Sequence, residues 1–445
     1  MILLIHREEA TKYLVVIGYY VILSGAYALS GTRGLFNLGM YAFDFDFERW
    51  LVATTLVVLV AFALPSRASR VSDYFLWMHA AVPVVPTLVF FSFSGGTPGF
   101  AALVMTAFML IRLSALFQPS PLIPGAIGTS PEWPMWIGIG AMYFFIIAGG
   151  DYSSIDFSLD KIYANRAQIS ESQSGYFEYL HTNLSKSLLP FLLILYYTKR
   201  RYWLLGVTVI CSLGVFLVSQ HRAALFFPLL ALLCYRSTGW AGAAGGRGIM
   251  NMFSAVLIAG MVLICIDATV LLGDIAIRRT FIVPAALNYE YFRFFQEHPF
   301  TLFSDSTLSF GLVPRVYPDQ VPFLIGYEIG LPGAHANASY LGSGFQQAGL
   351  AGVLLYVLIL SIMLKFLDGI GKQIGNNCFV FAICAPSLFW LIDSSDLPSV
   401  FLTHGLLLSM AILWLWSPYL RLHLSRPEST THKPITSPST PPETA

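Results

Sequence analysis

Four arginines of this 445-residue chain lie at positions that suit an anionic ligand, and three of them lie beside apolar runs. Arg222 ends the run Ser219-Gln220-His221-Arg222, a tight connection between two apolar segments, and Arg278 and Arg279 follow a third. Arg166 lies in a longer polar segment. A guanidinium binds phosphate through two parallel bonds, and a charge-assisted hydrogen bond contributes about 1.5–3 kcal/mol. The four are therefore candidate phosphate ligands, although an arginine at a helix end also snorkels to lipid head groups.

His335 is the best candidate for acid–base chemistry. It lies in the segment 332–340, where a Pro-Gly pair predicts a turn before a late apolar run. A neutral histidine accepts a proton from a hydroxyl near pH 7, and Asn337 could orient a ligand or the ring. A lone histidine is also commonly structural, so the catalytic role of His335 is a hypothesis. Other histidines beside apolar runs rank lower: His181, His221 and His404.

One motif could instead bind a metal ion. Asp44-Phe45-Asp46 is the only Asp-x-Asp pair, and it could hold a divalent ion with a phosphate. The chain has no phosphate loop and no metal-binding histidine cluster. Its five cysteines lie inside or beside apolar runs, without the spacing of metal ligands. The sequence therefore predicts neither a metal nor a cofactor, with the aspartate pair as the alternative.

The segments that carry these residues are strongly apolar. The chain is 56% hydrophobic and 11% charged, with a mean hydropathy of +0.68. A soluble domain carries about 25% charged residues, so lipid is the expected solvent for most of this surface. The formal net charge of +1 argues against nucleic acid as a partner.

The apolar runs predict an all-α, polytopic transmembrane bundle of about twelve helices, because about 20 apolar residues of helix cross a bilayer. Residues 1–424 form this single domain, and the Ser/Thr/Pro-rich segment 425–445 is predicted to be a disordered cytoplasmic tail. The predicted spans are 13–31, 50–64, 74–93, 99–117, 133–149, 179–197, 203–219, 223–235, 249–273, 345–364, 376–392 and 399–417.

The distribution of Lys and Arg predicts the orientation. The short connections Ser66–Asp73 and Thr198–Tyr202 are basic, whereas Ser394–Pro398 holds no Lys or Arg. By the positive-inside rule both termini are cytoplasmic, and the candidate residues lie on the outer side. The segment 274–336 is then a long outer loop, of a length that is commonly functional. Its aromatic stretch 288–295 is interpreted as an interfacial amphipathic helix, with a sugar-stacking platform as the alternative.

Three short motifs add a resemblance. The run Ser219–Leu225 places Ser-x-x-Arg at the start of an apolar helix, and Ile162–Arg166 precedes the central helices. His335–Leu341 leads into Gln347–Gly352, which contains Gly-Leu-x-Gly. In this order, over about residues 150–365, the motifs resemble the bacterial O-antigen and exopolysaccharide repeat-unit polymerases, the Wzy-type proteins related to O-antigen ligases.

The resemblance implies a metal-independent membrane glycosyltransferase of the bacterial inner membrane. Such an enzyme polymerises undecaprenyl-diphosphate-linked repeat units into O-antigen or capsule polysaccharide at the outer face. His335 and Arg222 would be catalytic, His335 deprotonating or orienting the acceptor hydroxyl, with Asn337 and His221 in support. The arginines assigned to substrate phosphates are Arg222, Arg278, Arg279 and Arg166. The implied partners are lipid-linked glycans, membrane lipids, a chain-length regulator and a flippase.

Two alternatives stay open. In this chain His335 is followed by Ala-Asn rather than directly by an amide residue, which leaves polymerase versus O-antigen ligase undecided. A flippase or other secondary transporter is the alternative of a different class. Transporters place ionisable groups near the bilayer midplane and contain paired broken helices. Here most charges gather at the ends of apolar runs, and only Arg112, Asp267 and Lys186 fall within spans.

Overall fold

The computed structural model describes residues 2–33, 43–118, 122–148, 176–219, 221–240, 245–266, 269–306, 309 and 311–424, and all regular structure in these ranges is helical. Arg166 and the predicted tail 425–445 lie outside the described residues. In chain order the helices are α1 (Ile2–Thr32), α2 (Phe47–Ala63), α3 (Val71–Ser94), α4 (Pro98–Leu116), α5 (Glu132–Ala148), α6 (176–198), α7 (Tyr202–Ser219), α8 (Ala223–Trp240), α9 (Gly245–Cys265), α10 (270–297), α11 (Val321–Glu328), α12 (Tyr340–Ile374), α13 (Asn377–Ser394), α14 (Leu397–Leu402), α15 (Leu406–Leu415) and α16 (Ser417–Leu424).

The prediction of an all-helical membrane protein is confirmed. Seven helices among the described residues are long and apolar enough to cross a membrane: α1, α3, α4, α7, α9, α12 and α13. The other expected spans are also helical, but they are shorter or interrupted. The expected span 399–417, for example, is divided among α14, α15 and the start of α16. The count of about twelve spans therefore stays a prediction.

Three helices in the described part of the chain contain a π-helical turn, in which the hydrogen bonds run from residue i to i+5. The turns are Ala80–Val84 in α3, Leu184–Leu188 in α6 and Ile275–Ile282 in α10. Such wide turns are rare and occur frequently at functional sites. The turns of α6 and α10 carry Lys186 and the pair Arg278 and Arg279.

One end of the bundle is held by ion pairs and hydrogen bonds. Glu132, which begins α5, accepts Lys199 and Arg201 at 2.9 Å each. The Lys199 ammonium also donates to the Tyr419 hydroxyl of α16 at 2.7 Å. Asn376, directly after α12, donates to the last backbone carbonyl of α16 at 3.2 Å. We call this the ion-pair end, and it contains the starts of α5, α7 and α13 and the end of α12.

The direction of the helices places two predicted motifs at the other end of the bundle. Helix α7 begins at the ion-pair end, so it ends at the opposite end with Ser219. Residues 350–374 of α12 run toward the ion-pair end, so Leu350 lies toward that same opposite end. Phe345, close to Leu350 in the chain, packs against Phe292 of α10, and the adjacent Tyr291 donates to the Ala336 carbonyl, so His335 also lies toward this end. We call this the arginine end, after Arg222.

The segment expected to be an outer loop, 274–336, begins as a helix packed into the bundle. Helix α10 continues to Glu297, and the Tyr289 ring lies 5.2 Å from Phe90 and 4.7 Å from Phe100. Phe292 packs against a ring of α12 at 4.6 Å, and both side chains are more than 90% buried. The aromatic stretch is therefore part of the core, neither an interfacial helix nor an exposed sugar platform.

Helix α12 reverses direction near its start. Ala348 and Gly349 have non-helical backbone angles, and Gly349 adopts φ 59°, a conformation that favours glycine. A Cβ built on Gly352 would lie 2.0 Å from the carbonyl oxygen of Gly344. Because eight residues of straight helix span about 12 Å, these glycines touch only if the chain folds back. Residues 340–347 thus form a re-entrant half-helix against 350–374.

Asp44 and Asp46, the alternative metal-binding pair, have a structural role at the start of α2. The Asp46 carboxylate accepts the backbone N–H of Arg49 at 2.7 Å and caps the helix. The Arg49 guanidinium donates to the Asp44 carboxylate at 2.9 Å. Both carboxylates thus hold the helix start together, as is usual for aspartate at this position.

We expect Asp46→Ala to lower the free energy of unfolding by about 1 kcal/mol, because the cap is lost. Thermal unfolding in detergent would measure this, with Asp46→Asn as the control, since asparagine caps equally well. A stabilisation of the wild-type protein by divalent cations that disappears in Asp46→Ala would instead support the metal site.

Candidate functional site

Helices α8 and α13 bring Arg222 and Asp393 to the same level. The two helices are antiparallel, and Phe226 lies 5.6 Å from Phe389 while Phe227 lies 5.7 Å from Trp390, between ring centroids. Arg222 precedes Phe226 by about one turn, toward the arginine end. Asp393 follows Phe389 by about one turn in the same direction. Arg222 and Asp393 therefore lie at about the same level of neighbouring helices.

Arg279 joins this pair from α10. Asp393 is 6% exposed, and its Oδ2 accepts the Ser394 hydroxyl at 2.9 Å. Its Oδ1 is buried without a hydrogen-bond partner in the described part of the chain. The exposed Arg279 attracts this carboxylate electrostatically, but it forms no ion pair within 4.0 Å among the described residues. We call Arg222, Arg279 and Asp393 the arginine site.

A third cation lies about one turn inward from the arginine site. Lys186 is 2% exposed, and its ammonium lies 4.4 Å from the centre of the Trp390 ring and 5.1 Å from that of Phe227. Aromatic faces attract a desolvated cation by about 2 kcal/mol. Burial, together with the positive charge of Lys186, lowers the pKa of His404 to about 3. His404 is thus neutral at physiological pH, which makes it a poor base.

His221 packs against α6 beside the arginine site. Its ring lies 4.6 Å from that of His181, which is 2% exposed. Thr182 and Asn183 donate to the Thr403 carbonyl at 3.0 and 3.3 Å, so α6 is fixed to the connection between α14 and α15. The supporting role of His221 stays a prediction.

Arg278 does not fit its predicted role. Its guanidinium forms three hydrogen bonds of 2.7–2.9 Å with the Asp274 carboxylate, one turn earlier in the same helix. The side chains are only 16% and 6% exposed. The bidentate face that would bind a phosphate is thus occupied by a carboxylate. Of the two neighbouring arginines, only Arg279 presents its guanidinium to the arginine site.

His335 lies against other elements. Its exposed ring packs edge-on to Phe323 of α11 at 4.8 Å. The next residue is fixed on both sides: Ala336 N–H donates to the Pro322 carbonyl at 3.0 Å, and the Tyr291 hydroxyl donates to the Ala336 carbonyl at 2.9 Å. His335 therefore packs against α10 and α11. Arg222 directly precedes α8, and Asp393 lies on α13.

Asn337 does not orient the His335 ring in the way that the sequence allowed. Its backbone N–H donates to the His335 carbonyl at 3.2 Å, but its side chain has no hydrogen-bond partner in the described ranges. The amide group is therefore left for a ligand or for solvent. The supporting role of Asn337 stays a prediction.

The arrangement at the arginine site suits an anionic ligand. Among the described side chains there, the guanidiniums of Arg222 and Arg279 are exposed, and the Lys186 ammonium and the Asp393 carboxylate are buried. Guanidiniums match the oxygen spacing of phosphates, and the buried carboxylate can accept a proton or a hydroxyl hydrogen bond. Within the described residues, no group of three or more His, Cys, Asp or Glu side chains is placed to hold a metal ion.

Comparison with known proteins adds no assignment. No protein-family model matches the chain, and no curated protein or solved structure matches it. The chemistry of the arginine site and its place in the bundle are therefore the basis for any function.

Proposed function

We propose that the chain is a membrane glycosyltransferase that polymerises undecaprenyl-diphosphate-linked oligosaccharide repeat units into O-antigen or capsule polysaccharide. The proposal depends mainly on one observation: Arg279 attracts the buried Asp393, and the neighbouring helix α8 places Arg222 at about the same level of a helical membrane protein. A polyprenyl diphosphate combines an apolar tail that stays in lipid with an anionic group at the membrane surface. Cations at the end of an apolar bundle are suited to such a molecule.

In the proposed reaction, a hydroxyl of the acceptor repeat unit attacks the anomeric carbon of the donor glycan. The bond between that carbon and the diphosphate oxygen breaks, and the diphosphate departs with the electron pair. Arg222 and Arg279 stabilise the negative charge that develops on the leaving group, as a divalent cation does elsewhere. Asp393 accepts the hydroxyl proton, because it is the buried carboxylate that Arg279 attracts. His335, which packs against Phe323 of α11, orients the acceptor sugar.

The proposed location is the bacterial inner membrane, with the arginine end outside and both termini in the cytoplasm. The basic short connections at the ion-pair end, such as Thr198–Tyr202, support this orientation by the positive-inside rule. The donor and acceptor lipids would then meet at the outer face. A chain-length regulator and a flippase are proposed partners of the same pathway.

The test uses the purified full-length protein in lipid vesicles, with lipid-linked repeat units extracted from a strain that lacks the gene. We expect a ladder of glycan lengths on a gel, formed with a chelator present and without an ion gradient. Folded protein that leaves single repeat units unchanged would contradict the proposal. Transfer of finished glycan to lipid A core, without chain growth, would identify a ligase.

A transporter is the second candidate, and the interruption of α12 favours it. Broken and re-entrant helices near ionisable groups are typical of secondary transporters. The half-helix 340–347 lies near Asp305 and Asp396, since Gln346 donates to Asp305 at 3.0 Å and Asp396 accepts Ser343. Uptake of lipid-linked or free substrate into vesicles, driven by an ion gradient and without new glycosidic bonds, would support this candidate.

A further inference from the structure

The half-helix 340–347 is held in place at its C-terminal end by the connection that follows α10. The N–H groups of Thr301 and Leu302 donate to the carbonyls of Gln346 and Gln347, both at 3.0 Å. These carbonyls lack partners within the half-helix, because the helix stops there. Leu302 and Phe303 adopt φ 48° and 63°, a left-handed conformation that bulky residues disfavour. The connection is therefore strained while it is docked.

The two glutamines of the half-helix extend the contact through their side chains. The Gln347 Oε1 accepts the Thr301 hydroxyl and the Phe303 N–H, each at 2.7 Å. The Gln346 amide donates to Asp305 Oδ2 at 3.0 Å. Each glutamine thus fixes both the half-helix and the connection, and the two move together if they move at all.

Two carboxylates meet beside this contact. Asp396 Oδ1 accepts the Tyr356 hydroxyl at 2.7 Å, and Asp396 also accepts Ser343 of the half-helix. Asp305 Oδ1 is buried without a partner in the described part of the chain. The two carboxylates repel each other when both are charged. The other titratable groups around them are Tyr291 of α10, Tyr356 of α12 and, three residues before Asp396, Asp393 with its attraction to Arg279.

We propose that Asp305 and Asp396 form a proton-operated latch for the half-helix 340–347. With one proton on the pair, the half-helix and the connection 298–306 are docked. When the proton leaves to solvent, two negative charges repel each other across the contact, and the strained connection is released together with the half-helix. The latch is independent of the proposed glycosyl transfer, and its ligand is a proton.

The direction of the pH dependence follows from the burial of Asp396. Burial raises the pKa of the Asp396 carboxyl to about 6, although hydrogen bonds from Tyr356 and Ser343 oppose the rise. In the released state the carboxyl returns toward its ordinary value of 3.8. The docked state thus holds the proton more tightly. Docking is complete below pH 3.8, the lower of the two pKa values, and is lost as the pH rises through about 6. Two pH units correspond to about a hundredfold change in the docking equilibrium.

Hydrogen–deuterium exchange of the full-length protein in lipid nanodiscs, between pH 4.5 and 7.5, tests the latch. After correction for intrinsic exchange rates, peptides from 298–306 and 340–350 should open about 25-fold more at the upper pH, because pH 4.5 lies above the lower of the two pKa values. A peptide from α4 serves as the internal reference. Equal protection of the latch peptides across the range would overturn the proposal, whether or not the protein makes polymer.

Substitutions identify the groups that titrate. Asp396→Asn removes the buried carboxyl that loses the proton, so protection should stay high and independent of pH. Asp305→Asn removes only the repulsion, so the change of protection with pH should become smaller. Tyr356→Phe removes a donor to the ionised Asp396, so its transition should move to higher pH. Asp319→Asn is the matched control, an exposed carboxylate between that connection and α11, and it should keep the wild-type profile. Unchanged pH dependence in both Asp305→Asn and Asp396→Asn would also overturn the latch.

Discussion

Replacing Arg222 with alanine will abolish long glycan chains while single-unit material persists. One charge-assisted hydrogen bond contributes about 1.5–3 kcal/mol, and a guanidinium forms two of them with a diphosphate. Loss of a preorganised group that stabilises the leaving charge lowers a rate on the order of 10²- to 10³-fold. The effect is measured as the rate of polymer formation in vesicles and as the glycan length distribution of a complemented deletion strain.

Two further variants make the Arg222 result specific. Arg222→Lys keeps the charge but loses the bidentate geometry, so its rate should lie between wild type and Arg222→Ala. Arg236→Ala is the control at the ion-pair end, where the guanidinium contacts the Tyr197 hydroxyl, and it should retain full polymerisation. Wild-type chain lengths from folded Arg222→Ala protein would show that the guanidinium is not needed for the reaction.

Gly352→Ala should have the largest effect on folding. Its methyl group would lie 2.0 Å from the Gly344 carbonyl oxygen, well inside normal contact distance, and the obstacle is backbone rather than a flexible side chain. Overpacking of this kind costs about 3 kcal/mol, or displaces the half-helix. We expect a lower melting temperature in detergent and a smaller yield of monodisperse protein.

The control for this variant is a helical glycine with open space. A Cβ on Gly18 of α1 would meet no atom within 4 Å. Gly18→Ala should therefore be neutral or stabilising by up to about 1 kcal/mol, because alanine favours helix. If Gly352→Ala melts at the same temperature as Gly18→Ala, the close approach of the two parts of α12 is wrong.

The apolar runs predicted where helices form, but they did not predict how two of them are built. Hydropathy is averaged over a window, and the reversal of α12 leaves that average high because both parts are apolar. The signal was present in the glycines at 344, 349 and 352, which permit a turn and a close approach. Most of helix α10 was predicted to belong to an outer loop, with an interfacial helix at 288–295, because Arg278, Arg279 and Glu290 interrupt the apolar pattern. Packing against α4 and α12 overrides that local polarity.

The candidate site was predicted in part. Arg222 and Arg279 could be proposed from their positions next to apolar runs, since a charge there needs a reason. The pairing of Arg278 with Asp274 was also within reach, because residues four apart face each other on a helix. Asp393 and Lys186 were missed as members of the site. Their importance depends on contacts between α6, α8 and α13, which are far apart in the chain.

The wide turn Leu184–Leu188 can be regarded as a one-residue insertion in an otherwise regular helix. Each residue of an α-helix rotates the next by about 100°, so one extra residue turns everything beyond it by that angle. In α6 the extra residue changes which face is directed inward on the two sides of Lys186. Deleting a single residue there would direct the ammonium away from Trp390 while leaving every loop unchanged. The rotation of α6 about its axis thus decides whether the Lys186 ammonium points into the protein or toward lipid.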